Sequence, residues 1–351
     1  MSNLVMDISL HNHLDGSYPM LSVLPELWRL THGRSKPYPF NPWSNHHNQI
    51  KSWFNNPLKG DIVKKFSITT GVMQDMDTLY IAAKNFVEMR ARQGFKYCEM
   101  IIAPQYHVFL GLSVKQVIGA LIRGIKRAEM SYPGIEACLV LGIGREVSPE
   151  KAVELILEFG ECEDREYIAG MTLVCDEAKN PPEKHKGAFS IAKILRFKTA
   201  CHTGEWVHDP DNQEPDLHKD MPLLLKNCWT AVSELKVDRL EHARPLAYSI
   251  DLMKVVKDRN IGITSCPGSY ACSGLLPNND FKVLKLSDSL DFNLLITLDS
   301  DDDLFMDDIN DVLAKCNQAY KFNDEQRLKL RLNAWKMRFG RRKPIPEDIV
   351  L

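Results

Sequence analysis

Short apolar runs rich in β-branched residues recur along the chain at Asp7–His13, Tyr97–Ala103, Ala137–Arg145, Ile168–Cys175, Leu195–His202, Arg239–His242, Ile261–Cys266 and Asn293–Asp299. Between them lie segments whose apolar positions repeat at helical spacing, among them Thr78–Gly94, Val114–Met130, Ser148–Glu161, Met221–Leu235 and Ser249–Arg259. Strand followed by helix, over and over, predicts a parallel sheet covered by helices. Eight such units in about 300 residues fit a closed barrel better than an open doubly wound sheet. The nucleotide fingerprint GxGxxG is also missing, since Gly142-Ile143-Gly144 ends a strand with no third glycine in register. The expected fold is therefore α/β, a single (β/α)8 TIM barrel spanning residues 1–351. Insertions follow strand 1 (Ser17 to about Gly71) and strand 5 (Trp206–Lys226), and both emerge at the C-terminal face, where barrel active sites lie. Beyond Phe305 the charge patterning predicts a closing helix and a tail over 306–351.

Composition narrows the function classes. A length of 351 residues exceeds the ~100–200 of a typical domain but suits one barrel with insertions. Lys+Arg 44 against Asp+Glu 46 leaves a net charge of -2, without the basic excess that tracks a phosphate backbone, so no nucleic-acid partner is expected. No apolar run approaches the roughly 18 residues that span a bilayer, and no basic flank precedes an apolar leader, so the chain reads as cytoplasmic with no membrane partner. Nine cysteines without CxxC spacing read as reduced, mostly buried thiols, and the PCxxC zinc site of cytidine-type deaminases is not supported.

Polar residues that a barrel core would reject stand at the strand ends. Strand 1 ends in His11-Asn12-His13-Leu14-Asp15-Gly16, and alternation points His11 and His13 to one face, where they can share a metal. Eleven histidines in the chain make one such pair a modest coincidence. Strand 5, however, ends in His202-Thr203-Gly204-Glu205, strand 6 in Arg239-Leu240-Glu241-His242, and strand 8 in Asp299-Ser300-Asp301-Asp302-Asp303. Three imidazoles and an aspartate suit zinc or a similar divalent ion with one position left for water. A metal lowers the pKa of that water from 15.7 toward ~7. Hydrolysis then needs an acid–base carboxylate and a group that orients the nucleophile, and Glu205 and His242 fit those roles by position.

These motifs resemble those of the adenosine deaminase family of metal-dependent hydrolases. Leu10–Gly16 resembles its LHxHLDG motif, His202–Glu205 its H[AT]GE, Cys266–Gly274 its CPxSNxx[ST]G, and Ser300-Asp301-Asp302 its [ST]DD. Phe86–Met89 with Gly94, and Tyr97-Cys98-Glu99 leading to Ala103-Pro104, match the helix and second strand of the same family. The resemblance implies one zinc ion per chain held by His11, His13, His202 and Asp301. Glu205 would carry a proton to the ring nitrogen beside the attacked carbon, and His242 would orient the hydroxide. Asp302 would bond the five-membered ring of the purine, and Asp15 the ribose 5′-hydroxyl, where a free-base relative carries glutamate. The implied reaction converts adenosine or 2′-deoxyadenosine to the inosine product and ammonia, with no organic cofactor.

Four departures from the family bear on the substrate. Glu241 and Ala243 flank His242 where glycines are usual, Cys175 stands at a glycine whose backbone N–H meets the purine, and Tyr270 replaces an asparagine. Arg244, Lys179 and Lys184 sit near the rim and keep an adenine nucleotide or N6-substituted derivative open as the substrate. Tyr38, Phe40, Trp43, Trp53 and Phe54 read as an apolar lid or a satellite core. His208–Gln213 superficially resembles a calcium loop but lacks its sixth-position glycine and terminal glutamate, so it reads as a rim loop.

Overall fold

The computed structural model describes residues 6–32, 52, 62–207, 217–347 and 349. The aromatic residues Tyr38, Phe40, Trp43, Trp53 and Phe54 and the loop His208–Gln213 lie outside the described residues. Eight parallel strands follow one another in sheet order: β1 (Ile8–Ser9), β2 (Tyr97–Ile102), β3 (Glu136–Gly144), β4 (Ile168–Val174), β5 (Lys198–Thr203), β6 (Arg239–His242), β7 (Gly262–Ser265) and β8 (Leu295–Leu298). A parallel bridge between Asn12 and Asp301 joins the last strand's end to the first, as a TIM barrel requires.

The expected first strand, Asp7–His13, pairs with β2 only at Ile8 and Ser9 before returning at His13. The reason is a side chain. Asp299 Oδ1 accepts the N–H groups of Leu10 (2.8 Å) and His11 (3.1 Å), so a carboxylate takes the place of a strand carbonyl there.

Helices cover the barrel: α1 (Met20–His32), α2 (Ile62–Gly71), α3 (Met76–Arg92), α4 (Val114–Ser131), α5 (Pro149–Gly160), α6 (Lys186–Ile194), α7 (Leu217–Thr230), α8 (Ile250–Asp258), α9 (Pro267–Cys272), α10 (Leu286–Asp291), α11 (Ile309–Tyr320) and α12 (Asp324–Met337). Side-chain caps open several of them: Asp75 with Thr78 opens α3, Ser113 with Gln116 opens α4, and Ser148 before Pro149 opens α5. Within the first insertion, α1 buries Met20, Leu21, Leu24 and Leu27 and is tied to α3 by Asn85 and Ser22 (3.0 Å). No helix among the described residues is long and apolar enough to cross a membrane.

The C-terminal segment is more than a helix and a tail. It forms two helices, α11 and α12, and residues 338–343 then seal the N-terminal end of the barrel. Phe339 N–H donates to Glu99 Oε1 (2.6 Å), Gly340 N–H to the Tyr97 hydroxyl (2.7 Å), and Arg342 N–H to Glu136 Oε1 (2.8 Å). Trp335 is only 1% exposed, and its Nε1 donates to Asp7 Oδ1 (3.0 Å) beside a two-pronged contact from Arg331 (3.0 and 2.6 Å). Burial opposes ionisation of Asp7, but the bonds from Arg331 and Trp335 outweigh it and hold the carboxyl below its ordinary 3.8.

Asp7→Asn should therefore cost about 2 kcal/mol of unfolding free energy at pH 7, from loss of a charge-assisted contact. Because the folded pKa is depressed, this stability is present above the unfolded value of about 3.9 and is lost as pH falls through the folded one. Denaturant midpoints of the two proteins should differ at pH 7 and converge as pH falls below the folded value of Asp7. An equal gap on both sides of that value would place the effect elsewhere.

Candidate active site

At the C-terminal mouth the ends of β1, β5 and β8 bring four donors to one point. His11 Nε2 and His13 Nε2 each lie 3.0 Å from His202 Nε2, and Asp301 Oδ1 lies 3.4 Å from both His11 and His13. All four donor atoms lie within 4.8 Å of one another, as metal ligands do. Three ring nitrogens so close cannot all be served by protons placed between them. Burial, above all, pushes the His202 imidazole down to about 4, which leaves a neutral ring with a lone pair to give. The donor set, three imidazoles and a carboxylate, fits a borderline divalent cation. Cys266 also stands nearby, forming a second candidate group with His242 and Asp301, and burial and then the charge of Asp301 push its thiol up.

Glu205 and His242 stand beside this cluster, with Glu205 Oε2 3.4 Å from His242 Nε2. The His242 ring centroid is 4.7 Å from that of His11 and 5.1 Å from that of His202. Its Nδ1 has no protein partner among the described residues. Burial, and then the charges of Asp301 and Glu177, push the Glu205 carboxyl up to about 8. Two glycines make the approach possible. Gly204, at φ +72, would carry a Cβ 2.7 Å from Cys228 Sγ, and Gly16 a Cβ 1.7 Å from Asp302 Oδ1. Cys175 (φ 75), His242 (φ 77), Ala243 (φ 47) and Asp301 (φ 61) are among thirteen non-glycine residues with left-handed backbone in the described chain.

A family model described as adenosine deaminase matches residues 7–344. The chain belongs to the adenosine deaminase family. It is accordingly a metal-dependent hydrolase of C–N bonds, acting as a deaminase of a 6-aminopurine. An adenine deaminase of Psychrobacter cryohalolentis is 26% identical over 294 residues, covering 84% of this chain and 80% of that protein. Two solved structures share the fold. One is an amidohydrolase from Burkholderia ambifaria with bound zinc (TM-score 0.77, 20% identity, covering 98% of this chain and 87% of that one). The other is the N6-methyl-AMP deaminase of Arabidopsis thaliana (TM-score 0.75, 19% identity, covering 96% and 93%).

Within the family frame the acidic end of β8 divides its labour. Asp301 joins the histidines, and Asp303 is clamped by Arg90 Nη2 (2.7 Å). Asp302, 6% exposed, packs on Gly16 and keeps Oδ1 without a partner among the described residues; burial and the charges of Asp301 and Asp15 push its carboxyl well up. Asp15 is buried nearby, close enough for its charge to act on His13 and Asp302. Tyr270 forms a wall, its ring 5.7 Å from that of His242. Cys175 stands farther out, with Sγ 3.3 Å from the Tyr106 hydroxyl.

The cations considered for a phosphate are already engaged. Arg244, 4% exposed, donates to the Glu205 carbonyl through Nε (3.1 Å) and Nη2 (2.9 Å) and to the Leu275 carbonyl through Nη1 (2.9 Å). Lys184 reaches Asn180 Oδ1 (3.1 Å) and Lys179 reaches Asp176 (3.5 Å). Several supports escaped sequence reasoning. Glu177 accepts the N–H groups of Gly204 (2.9 Å) and Glu205 (3.2 Å), while Ser269 Oγ donates to Glu205 Oε1 (3.2 Å). Thr264 Oγ1 meets His11 Nδ1 (3.0 Å), and Glu241 Oε2 meets His202 Nδ1 (2.8 Å). The Asp176-Glu177 pair after β4 and the serine of the Cys266 motif were the visible signals for two of these.

Proposed function

We propose that the protein is a zinc-dependent deaminase of adenosine and 2′-deoxyadenosine that releases ammonia and the inosine product. The observation that carries this reading is the meeting of four donors from three strands with the Glu205–His242 pair at one mouth. His11, His13, His202 and Asp301 would hold one ion per chain, which when bound supplies Lewis-acid activation of a water at neutral pH. Zinc fits the nitrogen-rich set of donors.

Glu205 protonates the ring nitrogen beside the attacked carbon, takes a proton back from the hydroxyl added at that carbon and passes it to the departing amino group, which leaves as ammonia, a role suited to a carboxyl pushed up to about 8. His242, with a neutral ring, accepts a hydrogen bond from the attacking water and fixes its direction. Asp302, as a neutral carboxyl, donates to an acceptor nitrogen of the five-membered ring, and its unpartnered Oδ1 supports that contact. Asp15 takes the ribose 5′-hydroxyl, and Cys175 borders the purine through its backbone. The engagement of Arg244, Lys179 and Lys184 within the protein favours a nucleoside over a nucleotide.

Formation of the 6-oxopurine product, with ammonia or, from N6-methyl-AMP, methylamine as the leaving group, measured on adenosine, 2′-deoxyadenosine, adenine, AMP and N6-methyl-AMP tests this directly. The two nucleosides should show the highest kcat/KM, by ~10²-fold or more over the others, because a site built around a ribose hydroxyl rejects ligands that lack it or crowd it. Preference for either monophosphate would overturn the nucleoside assignment, and silence on all five compounds would overturn the reaction.

A further inference from the structure

Arg239 and Glu241 alternate on β6, so both side chains enter the barrel interior, a space that such folds usually fill with branched apolar residues. Each is fully buried, as is Glu99 from β2. Arg239 Nη1 donates to Glu99 Oε2 (2.7 Å) and Nη2 to Glu241 Oε1 (3.0 Å). The second oxygen of Glu241 lies 2.8 Å from His202 Nδ1 and also accepts the Thr172 hydroxyl. The far end of the chain is fixed too, since Glu99 Oε1 accepts the Tyr97 hydroxyl (2.8 Å) and the Phe339 N–H (2.6 Å). A line of alternating charge thus runs from the sealed base of the barrel to one ring of the donor cluster. Charges buried this completely are costly, and replacing them by apolar groups would often stabilise a fold, so their presence calls for another account.

We infer that Glu241 is a positioning residue for the metal ligand His202. The carboxylate takes the Nδ1 proton, which fixes the ring as the tautomer whose Nε2 lone pair faces His11 and His13, and it makes that lone pair a stronger donor. Arg239 and Glu99 hold Glu241 in place and balance its charge. The three imidazoles are then unequal. At its Nδ1 His11 has the neutral Thr264 hydroxyl (3.0 Å) and the Cys266 thiol (3.4 Å), whereas His202 has anionic support. Metal retention should depend on Glu241 more than on Thr264.

This inference rests on the metal site proposed above, and the test separates the two. Metal-free wild type, E241Q and T264V are titrated with zinc against a competing chromophoric chelator, and the Nδ1–H tautomer of His202 is read by 15N NMR on the metal-free proteins. E241Q should bind zinc about 10- to 100-fold more weakly than wild type, with a smaller change in T264V, and wild-type His202 should carry its proton on Nδ1. Glutamine keeps one acceptor oxygen, which can still meet Arg239, and Arg239 keeps Glu99, so the variant loses the contact to His202 Nδ1 and little else. If E241Q folds poorly, the wild-type tautomer remains readable, and a proton on Nε2 would overturn the inference. Equal zinc affinity of E241Q and wild type would overturn it as well. A wild type that binds no zinc would instead remove the site itself.

Discussion

Glu205→Gln abolishes most turnover, by about 10²- to 10⁴-fold in kcat, while the protein keeps its metal and its fold. The substitution preserves size and leaves the surroundings of residue 205 intact. Its N–H is still held by Glu177 and its carbonyl by Arg244, and Ser269 can still donate to the side-chain oxygen. What disappears is a proton that can be given and taken. In wild type, burial and the neighbouring charges of Asp301 and Glu177 push the carboxyl up to about 8, so it exchanges a proton near neutral pH, whereas an amide does not titrate there. Since residue 205 is not among the four converging donors, metal content should be unchanged. A variant that keeps a tenth or more of wild-type kcat would show that Glu205 does not carry the proton.

His13→Ala should lose both the metal and the activity without unfolding. Among the three histidine donors it is the least enclosed, with a side chain 14% exposed against 0% for His11 and 8% for His202. His11 and His202 each carry a buried Nδ1 contact, to Thr264 and Glu241, whose loss would leave a polar partner stranded. Removing His13 therefore separates ligation from folding more cleanly than removing either of the others. Going from four protein ligands to three should lower affinity enough that dialysis strips the ion, with activity falling in step. Elemental analysis, thermal unfolding and ammonia release on one sample check this. A fully metal-loaded H13A with near wild-type kcat would exclude His13 from the site.

Much of this architecture was legible because its signals are local. Short apolar runs rich in β-branched residues located all eight strands, and His11, His13, His202 and His242 fall in contiguous motifs at strand ends, where a barrel makes them meet. The supports were not legible because they depend on register between distant strands. Thr264 lies 253 residues from the His11 it touches, and nothing local marks the pair. Glu241 looked like a mere departure beside His242, and its meaning emerged only when β5 paired with β6 and set His202 opposite it. Arg244 read as an available cation because sequence cannot show that three carbonyl bonds already occupy it. The C-terminal segment read as a tail because its charges mask its burial. Arg331 is spent on Asp7, and Arg239 stacks 4.1 Å over Phe339, so the aromatic residues among those charges seal the barrel.

On the reading proposed above, one ion held by His11, His13, His202 and Asp301 makes this chain a 6-aminopurine nucleoside deaminase. That reading is tested most directly by stripping the protein of metal and titrating zinc back while adenosine deamination is followed. The expected result is negligible activity without metal and a linear rise that breaks at one equivalent per chain. Full activity in the metal-free protein, or a rise that continues well past one equivalent, would contradict it.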